Sequence, residues 1–285
     1  MYRNRLKKNN ELGDPMRILF LDAYNLIHRA RYGFIKGENA TVFGFFRSLR
    51  PLIEKFNPDK AYFILEGYPK HRYKLAADYK GTRVRDNDES FHRQKNMIIS
   101  LMKEYFPISV VRHPDYECDD VLGNLVRYVH VDDHCIVISS DTDFLQLYNT
   151  HENVDIYNPI RKKILDKPDY DYVTWKSLRG DSADNIKGIK GIGNKRAIKL
   201  IEEPEKLEEL LIHDENRRIF ERNKALIAFA DMRSLLSEIE ISKPYVDWGS
   251  LRNKFQDFKF DSITNEKSWI KFQHTFLTLE QSFGV

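Results

Sequence analysis

The sequence predicts an α/β fold with a mostly parallel central sheet flanked by helices, and three short apolar segments carry that prediction. Residues 18–21, 61–65 and 136–138 are continuously apolar, and an acidic residue follows each of them within a few positions. Continuous rather than alternating hydrophobicity is typical of strands buried on both faces of a parallel sheet. Stretches with helical character separate these strands at residues 42–56, 90–105 and 119–131. Alternation of strands with helices indicates the α/β class.

Weaker apolar segments at residues 109–111 and 154–157 are candidates for two more strands of the same sheet. After about residue 180 the sequence becomes mostly helical, with an acidic helix predicted at residues 202–211. Residues 217–285 indicate further helices and a loop at Pro244. In this region we expect Trp248, Trp269 and Phe272 to pack onto the core.

Composition places the chain among globular proteins. Its 285 residues are 41% hydrophobic and 31% charged, and no apolar run approaches the roughly 18 residues that a membrane helix needs. Residues 1–15 are polar and basic with no apolar segment behind the charges, so we expect a cytoplasmic protein without membrane contact. Cys118 and Cys135 lack the spacing of a zinc site, and a structural zinc is not expected.

The distribution of charge is more informative than its sum. A net charge of +3 is too small to establish nucleic-acid binding. Basic residues nevertheless concentrate in residues 70–95 and 187–199, whereas acidic residues recur as short, separated pairs. This segregation of charge is the first indication of a function.

Three acidic residues stand at or just after the carboxyl ends of predicted strands, namely Asp22, Glu66 and Asp141. In open α/β sheets, ligands bind in the crevice beyond those ends. Each acid alone has an alternative role in a turn or a helix cap. Three of them from three different strands indicate a functional crevice.

Further acidic residues occur in compact groups. Glu117, Asp119 and Asp120 open a predicted helix, where a favourable dipole interaction is the alternative explanation, and Asp143 follows Asp141 by two positions. Asp181 and Asp184 are three residues apart, and we expect them to face the same way on a helical turn.

A site containing all these carboxylates would be unfavourable without cations, because like charges in a partly desolvated site oppose one another's ionisation. All-oxygen ligands favour Mg²⁺ or Mn²⁺ over zinc. Paired ions of this kind commonly serve phosphoryl transfer, in which they activate a water and stabilise the leaving oxygen. The sequence therefore predicts metal-dependent phosphoryl transfer.

In their order along the chain, these acidic motifs and the glycine-rich string at residues 188–193 resemble the 5′-nuclease, or flap endonuclease, superfamily. The resemblance is greatest to the bacteriophage 5′→3′ exonucleases and to the 5′-nuclease domain of bacterial DNA polymerase I, and it covers about residues 16–200. It implies a nuclease core related to the PIN fold at 16–175, with a helical arch at about 68–96. A helix-hairpin-helix region with C-terminal helices would follow at 176–285, and residues 1–15 would form a flexible basic extension. Glu66 and Cys118 depart from the family pattern, which usually has Asp and Ala there.

The resemblance also implies two, or three, bound Mg²⁺ or Mn²⁺ ions. The first site would be formed mainly by Asp22, Glu66, Glu117, Asp119 and Asp120. The second would be formed by Asp143, Asp181 and Asp184, with Asp141 between the two.

The first basic segment alternates cations with aromatic residues, a pattern typical of single-strand binding, although a solvated helix face is the alternative. By resemblance it is the arch through which a 5′ strand passes. Lys80 and Arg83 would stabilise charge on the scissile phosphate. Tyr79 would stack on the terminal base, and Arg29 would contact a phosphate.

The second basic segment is a glycine-rich turn that opens a helix and presents backbone N–H groups to phosphate. It resembles the family's helix-hairpin-helix, which holds duplex DNA and often a K⁺ ion. The implied contacts are Gly188, Gly191, Gly193, Lys195, Arg196 and Lys199.

The resemblance thus implies a monomeric, structure-specific 5′ nuclease acting in DNA replication or repair. Its substrates would be DNA with 5′ flaps, 5′ ends or nicks, with RNA/DNA hybrids as a further candidate. Two alternatives remain, a PIN-like ribonuclease and a non-catalytic protein that binds branched DNA. The arch and hairpin sequences argue against the first, and the nearly complete acid set argues against the second.

Overall fold

The computed structural model describes residues 14–33, 37–83 and 87–281. Residues 1–13 of the predicted extension and residues 84–86 of the predicted arch lie outside the described residues. The strands are β1 (Arg17–Asp22), β2 (Lys60–Ile64), β3 (Ser109–Arg112), β4 (His134–Ile138), β5 (Val154–Asn158), β6 (Lys163–Ile164), β7 (Gly180–Asp181), β8 (Ile186–Lys187) and β9 (Glu240–Ile241).

A seven-stranded sheet with the order β6-β5-β4-β1-β2-β3-β9 forms the centre of the molecule. The five inner strands are parallel, and the short strands β6 and β9 close the edges in antiparallel orientation. The α/β prediction and all five predicted strands are confirmed. Strand β1 is central because its side chains are apolar on both faces and are fully buried from Ile18 to Leu21.

The helices are α1 (Ala23–Arg31), α2 (Ala40–Phe56), α3 (Lys70–Leu75), α4 (Glu89–Tyr105), α5 (Cys118–Asn124), α6 (Tyr172–Arg179), α7 (Asn194–Glu202), α8 (Pro204–Ile212), α9 (Asp214–Ile227), α10 (Trp248–Asp257), α11 (Asp261–Thr264), α12 (Glu266–Thr275) and α13 (Leu277–Gln281). No helix in the described part of the chain is both long and apolar enough to cross a membrane.

Two predicted helices have different boundaries in the structure. The helix predicted at 119–131 ends as an α-helix at Asn124 and continues as one π-helical segment, Leu125–Val129, closed by the His130 N–H donating to the Leu125 carbonyl. The acidic helix predicted at 202–211 instead begins at Pro204, because proline fits the first turn of a helix but cannot continue the preceding one.

Each face of the sheet is covered by a separate apolar layer. Helices α2, α4 and α10 to α13 cover one face, where Trp269 stacks on Phe272 with ring centroids 5.4 Å apart and Trp248 meets Phe106 at 5.7 Å. This confirms that the three C-terminal aromatic residues pack onto the core. Helix α5 and the segment around Phe229 cover the other face, in which Cys118 is buried.

A third apolar cluster joins α6 to α9, apart from the main sheet. The hairpin of β7 and β8 lies between α6 and α7 along the chain, and Lys176 of α6 pairs with Asp143, which follows β4. The molecule therefore places a helical unit directly beside the crevice where ligands of α/β sheets bind.

Candidate active site

The strand-end acids converge as the topology rule predicts. Asp22 is the last residue of β1, Glu66 follows β2, and Asp141 follows β4. Strands β4, β1 and β2 are neighbours, so their carboxyl ends lie at one edge of the sheet. With Glu117, Asp119, Asp120, Asp143, Asp181 and Asp184, these residues are called the acidic cluster below.

A hydrogen-bonded scaffold fixes Asp22. Its carboxylate caps α1 by accepting from the Asn25 N–H at 3.2 Å, and it accepts a second bond from the Ser139 hydroxyl at 2.7 Å. The Asn25 amide in turn bonds Ser140, so β1 and the loop after β4 are linked directly behind the crevice. Because Asn25 lies in α1 and Ser139 directly follows β4, the carboxylate is preorganised.

Asp143, Asp181 and Asp184 form the tightest part of the cluster, with one ligand atom from each lying within 4.8 Å of the others. The helical turn predicted for Asp181 and Asp184 is wrong. Helix α6 ends at Arg179, Asp181 lies in β7, and Asp184 lies in the turn of the hairpin. Gly188 decides this, because a Cβ there would lie 2.2 Å from the Arg179 carbonyl, and only glycine lets the two backbones cross so closely.

Lys176 is a site residue that sequence reasoning missed. Its ammonium lies between Asp143 and Asp181, forming an ion pair with each, at 2.6 Å for Asp181. Its side chain is only 6% exposed. Burial opposes the charged form, but the attraction of Asp143 and the other partners raises the pKa of Lys176 above its usual range. The available sequence signal was its position, five residues before Asp181.

The buried guanidinium of Arg72 binds two of the acids at the start of α5. Asp120 is fully buried, and the guanidinium of Arg72 donates to it at 2.8 Å while the Ala230 N–H donates to the same oxygen at 2.8 Å. Arg72 also donates to Glu117 at 2.8 Å. Arg72 was missed because its neighbours in the basic segment indicated a solvent-exposed or DNA-facing residue.

The predicted catalytic cations lie against the cluster. Lys80 forms an ion pair with Glu117 and lies 4.0 Å from Asp184, while Arg83 pairs with Asp184. Tyr79 does not present its ring as predicted for base stacking. The ring is 4% exposed and packs near Ile186, and its hydroxyl donates to Glu117 at 3.0 Å, since the turn at residues 78–81 directs it inward.

The glycine-rich turn adopts the geometry expected of a helix-opening loop. Gly191 has φ of +79°, a conformation that favours glycine, and Gly193 precedes α7. Lys195, Arg196 and Lys199 are exposed on α7. Their role as phosphate contacts stays a prediction.

Arg29 lies on α1, the helix that follows Asp22. Together with Arg47, Ser140 and Lys162 it lines an open cavity of about 1080 Å³. Its contact with a phosphate also stays a prediction.

Comparison with known families agrees with this geometry. The model of the 5′-3′ exonuclease N-terminal resolvase-like domain matches residues 17–176, which is more than half of the chain. The chain belongs to the 5′-3′ exonuclease family. A second model of the same family, the 5′-3′ exonuclease C-terminal SAM fold, matches residues 168–262 and includes the glycine-rich turn at residues 188–193. The resemblance stated from the sequence motifs is confirmed.

Individual relatives of this 5′-3′ exonuclease family member share about three residues in ten with it. DNA polymerase I of Chloroflexus aurantiacus is 31% identical over 222 residues, covering 69% of this chain and 23% of that protein. A 5′-3′ exonuclease of Aquifex aeolicus is 28% identical over 251 residues, covering 79% of this chain and 84% of that protein. The chain spans about a quarter of the length of the DNA polymerase I relatives.

A solved structure shows the same fold. The bacteriophage T5 flap endonuclease, in a complex with DNA and metal ions, superposes with a TM-score of 0.62 at 18% identity, covering 93% of this chain and all of that one. The fold of this family member therefore extends over both the sheet and the C-terminal helices.

The electrostatics of the family member's acidic cluster fit a divalent metal ion. Among the described residues, four Lys and Arg side chains form ion pairs with five of the nine carboxylates of the cluster, namely Arg72, Lys80, Arg83 and Lys176. Burial, and secondarily Asp22, raise the pKa of Glu66 to about 7, and burial together with Asp143 raises the pKa of Asp141 to about 6. The charge that remains is of the kind that hard cations with oxygen ligands neutralise.

These raised pKa values predict how metal-free stability depends on pH. The folded protein binds these protons more tightly than the unfolded chain, so stability is greatest below about pH 4.5 for these groups and is lost as pH rises toward 7. In EDTA we expect the Tm to fall by several degrees between pH 5.5 and 8, with Glu66 contributing on the order of 2 kcal/mol.

Differential scanning calorimetry of the wild type and Glu66→Gln measures this dependence. The variant should show a flatter curve, and millimolar Mg²⁺ should raise the wild-type Tm at pH 8, because an ion that binds only the folded state stabilises it. Identical curves for the two proteins would show that Glu66 does not carry the effect.

Proposed function

We propose that this chain is a structure-specific, Mg²⁺-dependent 5′ nuclease that hydrolyses DNA phosphodiesters near junctions of single-stranded and duplex DNA, in replication or repair. The products would carry a 5′-phosphate and a 3′-hydroxyl. One observation carries the proposal. Asp143 from the 3₁₀ helix that follows β4 and Asp181 and Asp184 from the hairpin bring ligand atoms within 4.8 Å of one another, with the cations Lys80 and Arg83 directly beside them.

The donor set supports two, or three, Mg²⁺ or Mn²⁺ ions, since every candidate ligand is a carboxylate. In this proposal Asp22, Glu66, Glu117 and Asp119 hold one site, Asp143, Asp181 and Asp184 hold another, and Asp141 lies between them. Asp120 acts from behind the first site, because its oxygens accept from Arg72 and from backbone N–H groups. Bound ions of this class lower the pKa of a water and stabilise the leaving oxygen.

The side chains of this chain contribute position and charge. Lys80 pairs with Glu117, and Arg83 pairs with Asp184. From these positions the two cations can stabilise the negative charge of a phosphodiester lying over the carboxylates. Tyr79 holds Glu117 through its hydroxyl. Lys176 holds the carboxylates of Asp143 and Asp181 close to one another.

Substrate binding would use the two basic segments. The exposed cations of α7 suit the phosphates of duplex DNA, and the turn at Gly191 supplies backbone groups for phosphate and for a K⁺ ion. The predicted arch around α3 would admit the 5′ single strand. DNA with 5′ flaps, 5′ ends or nicks is the proposed partner of a monomeric enzyme, with RNA/DNA hybrid as a secondary substrate.

The deciding experiment incubates a 5′-labelled flap duplex with the protein in Mg²⁺, in Mn²⁺ and in EDTA, beside the same duplex with an RNA flap. We expect short labelled products from the DNA flap in Mg²⁺ and none in EDTA. Binding without cleavage in either metal would favour a non-catalytic branch-binding protein. Cleavage confined to the RNA flap would favour a ribonuclease.

A further inference from the structure

Two residues with left-handed backbone meet where the predicted arch contacts the hairpin. Lys80 has φ of +55° and Asn185 has φ of +59°. Asparagine tolerates this conformation, whereas a long side chain with a Cβ adopts it rarely. A strained residue at a functional site persists only where its surroundings hold it. The contacts around Lys80 therefore indicate what holds it.

Lys80 occupies the third position of a tight turn. The Gly81 N–H donates to the Asp78 carbonyl at 2.9 Å, which closes the turn over residues 78–81. Positive φ at the third position is typical of type II turns, in which glycine or asparagine usually occupies that position. The turn directs Tyr79 and Lys80 toward the same carboxylate, Glu117.

The hairpin supplies the bonds that fix this turn from outside. The side-chain amide of Asn185 donates to the Asp78 carbonyl at 2.8 Å and to the Asp78 carboxylate at 3.1 Å. The Lys80 N–H donates to the Asp184 carbonyl at 3.0 Å. Two consecutive hairpin residues thus bond the first and third residues of the turn, and one of them, Asp184, is itself a candidate metal ligand.

We propose that Asn185 is a positioning residue, whose amide holds the 78–81 turn so that Lys80 keeps its left-handed backbone and its ammonium stays at the acidic cluster. The inference rests on the proposed nuclease function and deepens it. It couples the element that would grip duplex DNA to the cation that would meet the scissile phosphate. Asn185 touches no reacting atom and acts through Lys80.

The test variant is Asn185→Gly, because glycine keeps the left-handed backbone and removes only the side-chain amide. Asn57→Gly is the matched control. Asn57 also has positive φ, +40°, and its side chain accepts from the Thr278 hydroxyl at 3.1 Å. It lies between α2 and the amino end of β2, away from the carboxyl ends of the strands. Both variants introduce one glycine at a left-handed asparagine with a side-chain hydrogen bond.

The first measurement does not need nuclease activity. Under native conditions trypsin should cut after Lys80 severalfold faster in Asn185→Gly than in the wild type, whereas Asn57→Gly should match the wild type. Mass spectrometry identifies the cut. Equal rates in Asn185→Gly and wild type would overturn the proposal.

The second measurement is single-turnover cleavage of the flap duplex. We expect Asn185→Gly to slow cleavage between about ten- and a hundredfold with unchanged affinity for duplex DNA, because a small misplacement of a catalytic group costs that much. In a Lys80→Ala background the same substitution should cause no further loss. The proposal would be overturned if Asn185→Gly reduced the cleavage rate of the Lys80→Ala variant by a further factor. Full activity of the Asn185→Gly single variant would also overturn it.

Asp78→Ala probes the same contact from the arch and decides the matter if Asn185→Gly does not fold. It removes the carboxylate that accepts at 3.1 Å and leaves the backbone carbonyl of residue 78. The cleavage rate should therefore fall less than in Asn185→Gly, and the decrease should likewise disappear in the Lys80→Ala background. A loss that persists there would overturn the proposal. If the wild type failed to cut DNA, the proposed function would fall, while the trypsin comparison would still decide the role of Asn185.

Discussion

Replacing Asp143 with asparagine is expected to slow cleavage of a 5′-flap duplex at least about a hundredfold in Mg²⁺, because a catalytic metal supplies several kcal/mol of transition-state stabilisation. Asp143 shares the 4.8 Å group with Asp181 and Asp184, so an amide there removes one of three charged ligands. Affinity for the flap duplex in EDTA should stay near the wild-type value, since the cations of α7 are untouched. Single-turnover kinetics and fluorescence anisotropy measure the two quantities.

Asp166→Asn provides the matched control for this substitution. Asp166 pairs with Lys163 on the surface beside β6, with its side chain 93% exposed, and the change should leave both cleavage and affinity unaltered. Asp143→Asn should remain folded, because Lys176 keeps its ion pair with Asp181. A folded Asp143→Asn protein that retained more than about a tenth of the wild-type rate would contradict a metal site at this position.

The sheet and the convergence of the strand-end acids could be predicted because both follow from local pattern and a topology rule. Strands buried on two faces are apolar throughout, and the order of α/β elements makes their carboxyl ends meet. Asp22, Glu66 and Asp141 therefore required no knowledge of distant contacts. The order of the acidic motifs then sufficed to indicate the family that the domain models confirm.

The other parts of the site depend on which elements pack over the crevice, and the spacing of residues in the sequence does not show which elements these are. An interval of three residues between Asp181 and Asp184 fits a helix and a hairpin equally, and the close crossing of Gly188 over the end of α6 selects the hairpin. Tyr79 is turned inward by contacts with residues about a hundred positions away, such as Asp184 at 3.3 Å. Buried cations such as Lys176 have the same sequence signature as exposed ones.

Arg72 is the clearest of these buried cations, and its removal is expected to have the largest effect on stability. Arg72→Ala should lower the free energy of unfolding by about 3–5 kcal/mol in EDTA, because it leaves the fully buried carboxylate of Asp120 without its counter-charge. The backbone carbonyls of Leu226 and Ala228 lose a donor as well. Urea unfolding followed by circular dichroism measures the change. Arg50→Ala, which breaks an exposed i,i+4 pair with Glu54, should cost no more than about 0.5 kcal/mol.

A second substitution separates the lost charge pair from the lost volume. Replacing a buried ion pair by neutral side chains of similar size is often close to neutral, whereas removing one partner is not. Arg72→Met combined with Asp120→Asn should therefore be more stable than Arg72→Met alone. The side-chain carbonyl that results from Asp120→Asn can still accept from the Ala230 N–H, which now donates to Asp120 at 2.8 Å. If the double variant were no more stable than Arg72→Met alone, the cost would lie in packing, and Arg72 would contribute its volume rather than its ion pair with Asp120.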